Sequence, residues 1–121
     1  MANELNITLG LVAFTKAGKS FRREGGEVIV NVSGNHFQAG SQSVGTSEEG
    51  IGLGDITSLG WFALRNLDAT NKVYWGNVTG QLNNELLPGE RVYARAKSGN
   101  NAIRVQADTA ACEVEFAAFS A

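Results

Sequence analysis

Apolar and polar residues alternate with a period of two through most of this chain, and turn-forming clusters interrupt the alternation about every ten residues. A helix needs apolar residues at a spacing of three and four, so this pattern confines the chain to strands. Leu5, Ile7, Leu9, Leu11 and Ala13 share one face of an extended segment, with Asn6, Thr8 and Gly10 on the other. Val28, Val30 and Val32 alternate with Ile29 and Asn31, and Val92, Ala94 and Ala96 with Arg91, Tyr93, Arg95 and Lys97. Ile103, Val105 and Ala107 alternate with Arg104 and Gln106, and Cys112, Val114 and Phe116 with Glu113 and Glu115. Trp61 to Leu64 is continuously apolar, as in a strand buried on both faces. Phe62 and Leu64, or Trp61 on the opposite face, are expected in the core with Val73 and Trp75.

The interruptions have turn chemistry: Ala17-Gly18-Lys19-Ser20, Glu24-Gly25-Gly26, Ser33-Gly34-Asn35, Asp68-Ala69-Thr70-Asn71, Pro88-Gly89 and Ser98-Gly99-Asn100. Roughly seven or eight short strands so spaced predict an all-β fold, an antiparallel β-sandwich or barrel. Residues 39–58 are the least strand-like and read as a long loop. If Ser98 and Asn101 close a two-residue hairpin, Arg95 faces Arg104, and a continuing meander brings Glu113 beside Arg104.

A chain of 121 residues with 43% hydrophobic and 18% charged side chains is globular, and its length fits one domain over residues 1–121. Residues 1–8 are expected as an extended arm of it. The low charged fraction suits a surface partly covered by partners. A net charge of −2 gives no reason to expect nucleic-acid binding. Cys112 is the single cysteine, so no internal disulfide can form. Glu4 and Asn6 interrupt the first apolar stretch, so neither a signal peptide nor a membrane span is expected, and synthesis is cytoplasmic.

The chemistry-bearing residue types are sparse. Gly18-Lys19-Ser20 approaches a phosphate-binding loop, but Ala13 stands where that motif needs its first glycine. His36 is the only histidine, and no partner motif accompanies it. One His and one Cys cannot furnish an ordinary zinc site. Cys112 reads as a small buried hydrophobe. Glu48, Glu49 and Asp55 fall in the expected long loop without the alternating acids of a calcium site. The glycines from Gly50 to Gly54 lack dinucleotide-loop spacing. Sequons at Asn6, Asn31 and Asn77 read as chance matches without a secretory signal. Arg91, Arg95, Lys97 and Arg104 could share a basic face, neutralised by Glu113 and Glu115. No enzyme activity, cofactor or metal is expected.

Several phrases occur in a telling order: Gly45-Thr46-Ser47-Glu48-Glu49, then Arg65-Asn66-Leu67-Asp68-Ala69-Thr70-Asn71, then Leu87-Pro88-Gly89-Glu90, then a strand after Ala107-Asp108-Thr109-Ala110-Ala111. Over roughly residues 44–118 this order resembles small virion structural proteins of tailed bacteriophages, of the capsid cement or decoration type. The resemblance implies a jelly roll without catalysis, made in the host cytoplasm and incorporated into the virion. It implies binding to the major capsid protein as a homo-oligomer, a trimer in the usual arrangement. The interface residues expected on that reading are Leu5, Ile7 and Leu9 of the arm and Glu48, Glu49 and Asp55 of the acidic loop, which would meet a basic patch on the shell. The rival reading is a carbohydrate- or receptor-binding module of a tail or fibre, built on Trp61, Trp75, Tyr74 and Tyr93. Exposed aromatics converging in a groove would favour the rival, and buried tryptophans the scaffold.

Overall fold

In the computed structural model, residues 5–8 and 10–121 are described. They form strands β1 (Leu5–Thr8), β2 (Leu11–Lys16), β3 (Lys19–Glu24), β4 (Glu27–Val30), β5 (Phe37–Val44), β6 (Glu49–Gly50), β7 (Leu59–Asn66), β8 (Val73–Gly76), β9 (Asn84–Leu86), β10 (Arg91–Arg95), β11 (Arg104–Ala107) and β12 (Cys112–Ser120). The fold is all-β, and every strand pairing is antiparallel. The chain divides into two compact units, Met1–Ser33 and Gly34–Ala121.

The first unit is a two-stranded ribbon. β1 pairs with β4, Leu5 opposite Val30 and Thr8 opposite Glu27. β2 pairs with β3, Leu11 opposite Glu24 and Lys16 opposite Lys19. The Gly25 amide donates to the Gly10 carbonyl at 2.8 Å and joins the two ladders. Ala17 and Gly18 make the tip, with φ of 53° and 76°. Positive φ at both central residues matches the right-handed strand twist, which is why a two-residue hairpin closes here. The described part of the expected arm, residues 5–8, is therefore a paired strand. The expected continuous segment from Leu5 to Ala13 is divided between β1 and β2.

The second unit holds two four-stranded sheets, in the orders β10-β7-β12-β5 and β6-β11-β8-β9. One face of each contributes to a single hydrophobic core. Phe62 and Leu64 of β7 are 1% exposed, and Val73 of β8, Val105 of β11 and Val114 of β12 are fully buried. The Phe62 ring meets the Trp75 ring edge-on, with centroids 5.7 Å apart. The expected facing of this pair of strands is what the structure shows. Gly76 follows Trp75 where the Gln81 backbone crosses, and a Cβ there would run into the Gln81 carbonyl.

Two expectations are corrected. The stretch read as a long loop from residue 39 contains most of β5, which pairs along its whole length with β12 from Phe37–Phe119 to Val44–Cys112. Phe-Gln-Ala-Gly-Ser-Gln-Ser-Val has little intrinsic β-propensity, and the backbone ladder to β12 supplies what the side chains do not. The second correction concerns Ser98 to Asn101. A turn does form, with the Asn100 amide donating to the Lys97 carbonyl at 2.8 Å. It joins β10 to β11, however, which lie in different sheets. Arg95 faces Trp61, and Arg104 faces Gly76 on one side and Gly50 on the other. The expected Arg95–Arg104 pair and common basic face do not form.

Candidate functional site

The ribbon presents an unusual face. Directly opposed residues of an antiparallel pair share a face, so Val12–Arg23, Phe14–Phe21 and Lys16–Lys19 stand in three successive rows on one side of it. Val12 is 64% exposed, Phe14 51% and Phe21 47%. The Arg23 guanidinium lies over the Phe21 ring, 5.2 Å from its centroid. Two lysines directly opposite repel, and none of these three rows holds a carboxylate to offset them. The other side carries Leu11–Glu24, Ala13–Arg22 and Thr15–Ser20, where Arg22 and Glu24 pair at 3.2 Å in full solvent.

In the second unit, the outer face of the β10-β7-β12-β5 sheet carries a shallow trough. Its floor is one row across four strands, Tyr93–Ala63–Ala117–Ala39. At about 4.8 Å per strand, the row is roughly 14 Å long. The adjoining row on one side is Arg91–Arg65–Glu115–Ser41. On the other side stand Arg95 opposite Trp61, and Phe119 opposite Phe37. The Phe37 and Phe119 rings stack with centroids 6.4 Å apart. The trough has a volume of about 520 Å³. Arg65 Nε is buried beside it with no hydrogen-bond partner among the described residues. An apolar strip with a charged row along one side is suited to bind another surface; among the described residues it holds no arrangement of nucleophile and base.

The expected interface residues are scattered. Leu5 and Ile7 are half-buried on the β1 face that also carries Val28 and Val30, and Leu9 lies outside the described residues. Glu48 accepts from Arg104 Nε at 2.9 Å and from the Gly80 amide at 3.0 and 3.1 Å. The Arg104 hydrogen bond, then that of Gly80, lowers its pKa below the ordinary glutamate value. Glu49 accepts from the Gly45 amide at 3.0 Å and from Gln42 Nε2 at 3.1 Å. Two of the three carboxylates thus fasten loops within the chain. Asp55 alone is exposed, in the turn at Gly54–Asp55.

His36 is held by its backbone: its amide donates to Ser120 Oγ at 3.1 Å, and its carbonyl accepts from the Ser120 amide and hydroxyl at 3.0 Å. Cys112 is 1% exposed, and its thiol lies 3.5 Å from the Ala110 carbonyl and 3.7 Å from that of Asn71. Burial, then the charges of Asp68 and Asp108, pushes its pKa up, so it stays a protonated thiol as expected of a core cysteine. Among the described residues, no group of three or more His, Cys, Asp or Glu is placed to hold a metal ion.

Sequence reasoning missed Asn66. Its side chain is fully buried. Nδ2 donates to the Asn71 and Leu86 carbonyls at 2.9 and 3.1 Å, and Oδ1 accepts from the Asp68 amide at 2.9 Å. Its backbone accepts from Gly89 and donates to Glu90. One residue thereby organises the Asp68–Asn71 turn and the Pro88–Gly89 turn at the end of β7. The only hint was an Asn at the end of a largely apolar run, just before the Asp68–Asn71 turn.

Comparison with protein-family models, curated proteins and solved structures finds no match to this chain.

Proposed function

We propose that this chain is a non-enzymatic virion structural protein of the capsid cement or decoration type, binding the assembled major capsid protein as a homo-oligomer and strengthening the shell. The observation that carries the reading is the division into a ribbon without a core and a unit with one. A two-stranded ribbon is marginal in water on its own, and this one leaves Leu11, Val12, Phe14, Phe21 and Ile29 largely uncovered. A rigid unit joined to an adhesive ribbon suits a protein that ties neighbours together. Symmetry then multiplies a modest contact over the particle. The phage-like order of phrases supports the virion address, and the jelly-roll form belongs to the same proposal. Successive strands change sheet at every step from β5 to β12 except between β8 and β9, which supports a sandwich of that kind.

The rival glycan-binding reading has in its favour the exposed Tyr93 at the end of the trough and the half-buried Trp61 in the row beside it. Against it, Trp75 is 8% exposed and packed on Phe62. Aromatic convergence of the kind that reading needs would require both tryptophans in the trough.

The test is to mix the purified protein with phage shells that lack it and to sediment them. Saturable co-sedimentation at a fixed ratio to the major capsid protein is expected. Protein left in the supernatant, together with retention on a glycan array that Tyr93→Ala abolishes, would replace this reading with the rival.

A further inference from the structure

We propose that the Phe14–Phe21 face of the ribbon in one copy seats on the outer β12–β5 surface of a second copy. The inference deepens the homo-oligomeric part of the reading above by naming both contact surfaces.

Three rows on the ribbon match three rows on the sheet. Rows on one face of a strand pair repeat every two residues, about 6.7 Å, so equal spacing holds on both sides. The ribbon rows are Lys16–Lys19, Phe14–Phe21 and Val12–Arg23. The sheet rows are Glu115–Ser41, Ala117–Ala39 and Phe119–Phe37. In that order, lysines meet a carboxylate, phenyl rings lie over alanines, and Arg23 with Val12 meets two stacked phenyl rings. Bulky side chains therefore face small ones in the middle row, where close packing needs that complement. A guanidinium over aromatic faces is favourable at one end, and opposite charges at the other. Glu113–Ser43, one row beyond Glu115, adds a second carboxylate near the ribbon tip.

The widths agree as well. A two-stranded ribbon is as wide as the β12–β5 pair, so Arg91 lies outside the contact and Arg65, opposite Glu115, stands at its edge. The carboxylate also offsets the Lys16–Lys19 repulsion, which nothing in the ribbon's own three rows does. Charge over the two units points the same way. Residues 34–121 carry six Lys and Arg against nine Asp and Glu, whereas residues 1–33 carry four, Lys16, Lys19, Arg22 and Arg23, against three, Glu4, Glu24 and Glu27. The two surfaces differ, so the contact is heterologous, and successive contacts close a ring or continue as a filament.

The test is sedimentation velocity of the full chain alone, without shells, over a concentration series at low and high salt. Self-association that weakens with salt is expected. Lys16→Glu/Lys19→Glu and, separately, Glu113→Lys/Glu115→Lys should each weaken it about tenfold or more, because both put like charges in contact. The chain carrying all four changes should recover it. Phe14→Ser, on an exposed strand, should weaken it with the circular dichroism spectrum unchanged, and Ala117→Trp should do so by filling the strip. A wild-type chain that stays monomeric at every concentration would overturn the proposal. So would association that survives the ribbon changes, that ignores the β12 changes, or that the four-fold variant fails to restore. Oligomer formation is read without shells, so failure here leaves the shell-binding test standing, and failure there leaves this one standing.

Discussion

β2 and β12 have the same kind of sequence and opposite surroundings. Both carry phenylalanine and small apolar residues, and both place apolar residues at every second position. Every residue of β2 is exposed, whereas Cys112, Val114, Phe116 and Ala118 of β12 are buried. The difference lies in neighbours. β12 is flanked by β5 and β7 and backed by a core to which the other sheet contributes Val73, Trp75 and Val105. β2 has one partner strand, and four of that strand's six residues are charged. Alternation thus reports that a strand has two unlike faces. What covers the apolar one is a separate matter.

The sharpest way to break this comparison is to truncate a large side chain in each region. Trp75→Ala or Phe62→Ala should lower the unfolding free energy by about 3–5 kcal/mol in urea titration. Phe14→Ala measured on the monomer should stay within about 0.5 kcal/mol of wild type, since it removes little buried area. Equal losses at both positions would mean that the ribbon face is covered within the chain itself.

Asn66→Ala should cost about 2–3 kcal/mol by the same measurement, because it leaves carbonyls and an amide of two turns without partners. Asn66→Asp should not rescue it, since a carboxylate cannot donate to the Asn71 and Leu86 carbonyls. Gly76→Ala should cost about 1–3 kcal/mol, because the Gln81 backbone must move to admit a methyl group.

The acid limb sharpens the comparison further, because the lowered carboxylates lie in the second unit. Glu48 is lowered from 4.5 by Arg104 first, and Asp68 from 3.8 by the Asn71 and then the Thr70 amide. A depressed folded-state pKa contributes stability above the unfolded value and loses it as pH falls through the folded one. Urea midpoints should therefore hold from pH 7 down to about 4.5 and fall below it. Glu48→Gln should flatten that fall. The smallest effect is expected at the ribbon tip, where Ala17 has φ of 53°. Ala17→Gly removes the Cβ strain of that conformation, and slower hydrogen exchange of the β2 and β3 amides should show it, with the global unfolding midpoint unchanged.

Much of this was legible in the residues, for identifiable reasons. The inward facing of Phe62, Leu64, Val73 and Trp75 follows from hydrophobicity and a period of two. Cys112 reads as core from its place in the same alternation. β5 was illegible, since Ala39, Gly40 and Ser41 carry no apolar signal, and its strand form comes from the ladder to β12. The trough was illegible for the same reason. Its floor takes Ala39, Ala63 and Ala117 from three strands far apart in the chain.

The sequence by itself determined the all-β class, most of the turn positions and which residues of β7, β8, β10, β11 and β12 face a core, because each depends on short-range chemistry: side-chain alternation, positive-φ glycines and turn-forming polar residues. The expected turn at Glu24–Gly26 is instead a stretch where the ribbon runs on in one register. Only the tertiary structure decided the rest. It sent β10 and β11 to different sheets although a hairpin-like turn joins them, since strand pairing is settled by long-range competition for backbone partners. It gave Arg104 to Glu48 instead of Glu113, an ion pair across 56 residues. It also left the ribbon's phenylalanines in water, because a two-stranded element has no second layer to bury them.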